Sequence, residues 1–93
     1  MDLKIKGKVV LISGSTAGIG YATAERFLNE GATVIINGRT EDRVNAAVEQ
    51  LKASTKNENV SGVTADFSKV ADINRLLKEV SEVDILVNNT GIF

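Results

Sequence analysis

Ninety-three residues, 43% hydrophobic and 25% charged, suit one small globular domain and exclude a disordered chain or several domains. A formal net charge of -1 supplies no electrostatic pull toward nucleic acid or an anionic membrane, so neither is expected as a partner. With no Cys and no His, zinc sites, disulfides, thiol nucleophiles and Ser-His-Asp triads are excluded within these residues, and no metal site is expected.

The opening stretch Met1-Asp2-Leu3-Lys4-Ile5-Lys6-Gly7-Lys8 is positively charged but lacks a following apolar core of signal-peptide length. No later run approaches membrane-spanning length, and a cytoplasmic location is expected. Val9 to Ile12 is a short β-branched run suited to a buried parallel strand. It closes in Ser13-Gly14-Ser15-Thr16-Ala17-Gly18-Ile19-Gly20, a glycine turn that opens a helix over about Gly18 to Asn29. That context reads as a phosphate-binding turn. Gly14 permits reversal at the strand end, and Gly18 permits backbone amides at the helix start to approach a pyrophosphate. Gly20 shares a stripe with Ala24, Phe27 and Leu28 and is expected to let the helix pack closely on the sheet. Ser15 and Thr16 are expected to offer hydroxyl donors at the loop tip. A structural strand-to-helix turn without a ligand is the alternative. Glycines at 14, 18 and 20 do not fit G-x-G-x-x-G, and Ile19 with no Lys after it rules out a P-loop.

Gly31 suits a left-handed cap to the first helix. A second strand, Thr33 to Ile36, ends in Asn37-Gly38-Arg39. Thr40 is a plausible N-cap for a second helix with Glu41 and Asp42 near its positive end, and Val44, Ala47, Val48 and Leu51 form its buried stripe. The polar stretch Ser54 to Asn59 reads as a surface loop. A third strand, Val60 to Ala65, runs into Asp66-Phe67. The third helix follows Ser68 and buries Val70, Ile73, Leu76, Leu77 and Val80. A fourth strand, Val83 to Val87, ends in Asn88-Asn89-Thr90-Gly91. Alternation of strand and helix with short connections implies an α/β, Rossmann-like doubly wound parallel sheet in strand order 3-2-1-4. Helices one and two are expected on one face and helix three on the other. A ligand is expected above the carboxyl strand ends, in the crevice between strands one and four.

The turn resembles the T-G-x-x-x-G-x-G motif of the short-chain dehydrogenase/reductase family, with Ser13 in place of Thr, and Asn88 to Gly91 resembles its N-N-A-G motif, with Thr90 in place of Ala. The resemblance covers Gly7 to Gly91. It implies a cofactor site formed by Gly14, Ser15, Thr16, Gly18, Ile19, Gly20, Arg39, Asp66, Phe67, Asn89 and Gly91. Gly38 lies where NAD-preferring members tend to carry Asp, and the adjacent Arg39 is suited to a 2′-phosphate, so NADP is expected, with NAD as the alternative. Arg39 as a solvated cation is the plainer reading, and Arg43 adds positive potential. Asp66 either contacts the adenine amino group or caps the next helix, and the two roles are compatible.

The resemblance further implies hydride transfer between nicotinamide and a carbonyl or alcohol small-molecule substrate, and a homo-oligomeric parent enzyme. Members of the family carry an Asn, a Ser and a Tyr-x-x-x-Lys pair on later elements. None is present here, since the only tyrosine, Tyr21, is followed four residues on by Glu25. Residues 1–93 are therefore expected to be the N-terminal part of a single dinucleotide-binding domain, with no catalytic residues and no activity alone. The alternatives are a non-catalytic nucleotide-binding module or an interaction module using an exposed edge strand. An S-adenosylmethionine site fits less well, because the end of strand two lacks an acid.

Overall fold

A computed structural model describes residues 5–66, 69–79 and 83–89. Phe67, Ser68, Val80, Thr90 and Gly91, all singled out in the sequence, lie outside the described residues. The elements alternate as expected: β1 (Val9–Ile12), α1 (Gly18–Asn29), β2 (Thr33–Gly38), α2 (Glu41–Thr55), β3 (Val60–Thr64), α3 (Val70–Glu79) and β4 (Ile85–Val87). All strand pairs are parallel, and the sheet order is β3-β2-β1-β4. The register sets Val10 beside Val34 and Ile85, and Val34 beside Val60.

Strand alternation divides the apolar residues between two faces. Val10, Ile12, Val34, Ile36 and Val60 pack with Ala24 and Leu28 of α1 and with Val44, Ala47 and Leu51 of α2. The odd-numbered Leu11 turns the other way, to Leu76 of α3 and Ala65, with Ile35, Val63, Ile73 and Val83 around them. Helices thus cover both faces, as a parallel sheet requires. Among the described residues no helix is long and apolar enough to cross a membrane.

Five details depart from the pattern read in the sequence, the smallest being that β3 ends at Thr64, one residue short of Ala65. β2 runs two residues further, because Asn37 and Gly38 pair with Val63 and Thr64. β4 begins only at Ile85. Ahead of it Asp84 clamps the start of β1, donating its amide to the Val9 carbonyl (2.9 Å) while its carboxylate accepts the Val9 N–H (2.8 Å). Val70 is 72% exposed and does not join the buried stripe, since it opens α3 ahead of the turn whose Leu76 reaches Leu11 and Ala65. Ser54 and Thr55 complete α2 instead of starting a loop.

The polar residues after α2 also do structural work. Lys56 takes a left-handed conformation (φ 57°) that ends the helix. Asn57 then donates its side-chain amide to the Leu28 carbonyl at 3.0 Å and the Ala32 carbonyl at 3.1 Å, tying the end of α2 to the end of α1. Replacing Asn57 with Ala removes two donors from partly buried carbonyls. It is expected to lower unfolding free energy by about 1–3 kcal/mol, read as a reduced urea midpoint at unchanged slope.

Candidate cofactor site

The glycine turn is built from three polar side chains that the apolar strands carry to its base. Gly14 (φ 59°) reverses the chain at the end of β1, and Gly18 (φ 64°) opens α1, both in a region that side chains rarely tolerate. Asn37, 2% exposed at the end of β2, accepts the Gly14 N–H on Oδ1 (3.0 Å). Its amide nitrogen donates to the carbonyls of Val63 (3.4 Å) and Ala65 (3.1 Å) on the β3 side. Ser15 closes the joint, since its N–H donates to the Asn37 carbonyl (2.8 Å) and its Oγ accepts the Asn37 N–H (2.8 Å). The Ser15 hydroxyl in turn donates to the Ile12 carbonyl at 2.7 Å.

The end of β4 supports the turn from its other side. The Ser13 Oγ accepts the Asn89 N–H (3.0 Å), and the Asn89 side chain donates to the Gly14 carbonyl (2.9 Å). Gly20 fits this arrangement because a Cβ there would stand 2.5 Å from the Gly14 carbonyl oxygen and 2.7 Å from the Asn89 amide nitrogen. It brings α1 against the turn itself, a closer neighbour than the sheet expected from its stripe.

With Gly14 and Ser15 amides occupied from within, the amides of Gly18 to Gly20 at the start of α1 have no backbone acceptor among the described residues. They stand at the positive end of the helix dipole, which favours an anion. Beside them lies an open cavity of about 560 Å³ lined by Gly14, Thr16, Ala17, residues 37–40, Arg43, Ala65 and Asp66. Two guanidinium groups thus border it. Arg39 Nε stands 4.0 Å from Asp66 Oδ1 across the opening, an exposed pair of small energetic weight.

Of the cofactor residues that the resemblance implies, Gly14, Thr16, Arg39 and Asp66 line this cavity, whereas Gly18, Ile19, Gly20 and Asn89 do not. Ser15 is fully buried with its hydroxyl turned inward, so it holds the turn and does not present a donor at the tip. Ile19 is 79% exposed and borders a separate apolar hollow with Ile5, Ala22, Thr23, Arg26 and Phe27. The cavity lies over the ends of β1, β2 and β3, displaced from the β1/β4 crevice, where the Asn89 side chain bridges to the Gly14 carbonyl. Thr40 precedes α2 as expected, but its side chain makes no capping bond and only its carbonyl accepts the Val44 N–H (3.1 Å).

Asn37 is the residue that sequence reasoning passed over as functional. Its signal was a lone amide closing the apolar run Val34-Ile35-Ile36, where only a fully bonded side chain is tolerated.

A family model described as short chain dehydrogenase matches residues 8–93. The chain belongs to the short-chain dehydrogenase family. It is 47% identical, over its whole length, to the uncharacterized oxidoreductase YvrD of Bacillus subtilis, of which it covers 35%. It is 41% identical to the 3-oxoacyl-[acyl-carrier-protein] reductase FabG of Aquifex aeolicus, with 99% of this chain and 38% of that protein covered. The crystal structure of L-sorbose reductase from Gluconobacter frateurii, complexed with NADPH and L-sorbose, superposes with a TM-score of 0.87 and 38% identity. That match covers 98% of this chain and 36% of the reductase. The chain therefore spans little more than a third of the length of these relatives.

Replacing Asn37 with Ala leaves the Gly14 amide and the Ala65 carbonyl without their partner in a buried place. A loss of about 2–4 kcal/mol in unfolding free energy is expected. Asn37→Asp aims a carboxylate oxygen at two carbonyls, which raises its folded pKa above the unfolded value. Its stability relative to the parent is then greatest below the ordinary carboxylate pKa and falls as the pH rises from there through the raised folded pKa. Urea melts at acidic and neutral pH check both expectations.

Proposed function

We propose that the chain forms the adenosine and pyrophosphate half of the cofactor site of a nicotinamide-dependent oxidoreductase, with NADP preferred over NAD. Residues 1–93 are the N-terminal part of one dinucleotide-binding domain. The observation that carries the reading is the cavity whose lining brings Gly14, Thr16 and Ala17 of the glycine turn together with Arg39, with Gly38 buried where an acid would repel a 2′-phosphate. Amides at the start of α1 take the pyrophosphate, Arg39 pairs with the 2′-phosphate, and Asp66 and Phe67 flank the adenine. Thr16 lends its hydroxyl beside the phosphates, while Asn89 and Gly91 set the chain against the cofactor ribose. Ile19 contributes its backbone amide in the first turn of α1, its side chain lying at the separate apolar hollow.

When bound, the nicotinamide carries the hydride passed to or from a small carbonyl or alcohol substrate. The residues that move the accompanying proton belong to the part of the domain beyond residue 93. Tyr21 cannot serve, because it sits within α1 and packs against the core. The NADPH complex of L-sorbose reductase and the family match support the cofactor class. The whole enzyme is proposed to be a homo-oligomer of the cytoplasm.

Two measurements test the reading. Adenosine 2′,5′-bisphosphate is expected to bind at least about tenfold more tightly than AMP, from which it differs only by the 2′-phosphate, and Arg39→Ala to erase the difference. Equal affinities in the parent chain would remove the NADP preference. The purified 93-residue chain is expected to show no carbonyl-dependent oxidation of NADPH, and measurable turnover would contradict the assignment of catalysis to later residues.

A second reading draws on β4, whose outer edge has no partner strand among the described residues and whose Leu86 is 53% exposed. It makes the chain an interaction module. Such a module shows concentration-dependent association and no nucleotide affinity, which separates it from the first reading.

A further inference from the structure

The floor of the cavity between the turn and α2 is filled by aliphatic groups. A Cβ placed on Gly38 would lie 2.5 Å from Thr16 Cγ2 and 3.0 Å from Val44 Cγ2. Neither distance is compatible with ordinary carbon contact, so one neighbour must yield. Val44 is in no position to do so. It is 2% exposed, and its other methyl sits directly over Gly62 of β3, so closely that a Cβ there would collide with Val44 Cγ1. One valine of α2 thus rests on two glycines of adjacent strands. Thr16 is only half buried and belongs to the turn, so the displacement falls on it.

We infer that Thr16 is a specificity-determining residue, whose γ-methyl occupies the space that an acidic side chain at position 38 needs in order to reach a ribose diol. The inference rests on the nucleotide reading above and adds a second layer to it. Arg39 attracts the 2′-phosphate, and Thr16 prevents the end of β2 from acquiring the carboxylate that would favour its absence. Replacing Gly38 by Asp alone therefore forces the Thr16 methyl outward, and with it the loop whose backbone continues into Gly18 and the amides of α1. The carboxylate is gained at the expense of the phosphate turn. Thr16→Ser removes Cγ2 and keeps a hydroxyl, and Thr16 Oγ1 lies 3.5 Å from the same Cβ, at ordinary contact distance.

A double-mutant cycle on Thr16→Ser and Gly38→Asp, read by the affinities of the chain for ADP and adenosine 2′,5′-bisphosphate, tests the inference. Gly38→Asp is expected to leave ADP affinity within about twofold when Thr16 is present, and to tighten it at least about fivefold in the Thr16→Ser background. An equal gain in both backgrounds overturns the inference while leaving the nucleotide reading intact. Failure of the parent chain to bind either compound overturns both. A thermal-melting cycle with Gly38→Ala, which adds only the methyl, gives a readout independent of ligand. The fall in midpoint caused by Gly38→Ala is expected to be at least halved when position 16 is Ser, and an undiminished fall overturns the inference.

Discussion

The side chain of Asn37 holds together three segments that have no covalent reason to meet. Its carbonyl oxygen fixes the Gly14 amide at the end of β1, and its amide nitrogen fixes the carbonyls of Val63 and Ala65. Placing a primary amide in a nearly dry site is unfavourable unless each polar atom finds a partner, and here every one does. That satisfaction makes the site specific. A turn displaced by an ångström would leave several groups unbonded at once, so these bonds hold the glycine turn to one conformation. Rigidity of this kind lowers the ordering cost that nucleotide binding otherwise meets.

The sheet order, the helix faces and the turn were all legible in the sequence, because each depends on strong local signals. The β-branched runs at Val9 to Ile12 and Thr33 to Ile36 give strands, and glycines at 14 and 18 fall where the backbone takes positive φ. Less legible were features that depend on what a residue meets across the fold. Ser15 resembles a ligand donor in sequence, yet its hydroxyl is engaged by Ile12 and Asn37. Val70 has the spacing of a core residue, but periodicity cannot say where a helix begins relative to its sheet. Asn57 looked like loop polarity and proved to be a joint between two helix ends. The seat of Val44 on Gly38 and Gly62 joins residues from three elements, and no window of sequence contains it.

The charge arrangement at the cavity is economical. The anion-favouring groups are backbone amides of a helix start and two guanidiniums, while the nearest carboxylate, Asp66, stands opposite Arg39. Backbone amides carry no net charge, so the net charge of -1 is compatible with a site for a highly anionic ligand. Field direction at the site, not overall composition, is the relevant quantity.

The pairing of β4 with β1 carries a consequence for how the site comes into being. The clamp between Val9 and Asp84 and the bond from Asn89 to the Gly14 carbonyl each span 75 residues of chain, among the described residues the longest loops closed by any side chain but that of Ser13. Contacts between such distant segments form against the greatest loss of chain freedom. The strands β1, β2 and β3 with their helices can assemble through much shorter loops. The glycine turn therefore receives its last support from the segment that has the furthest to travel, and any ligand that bound only the completed turn would slow the departure of β4 from the sheet.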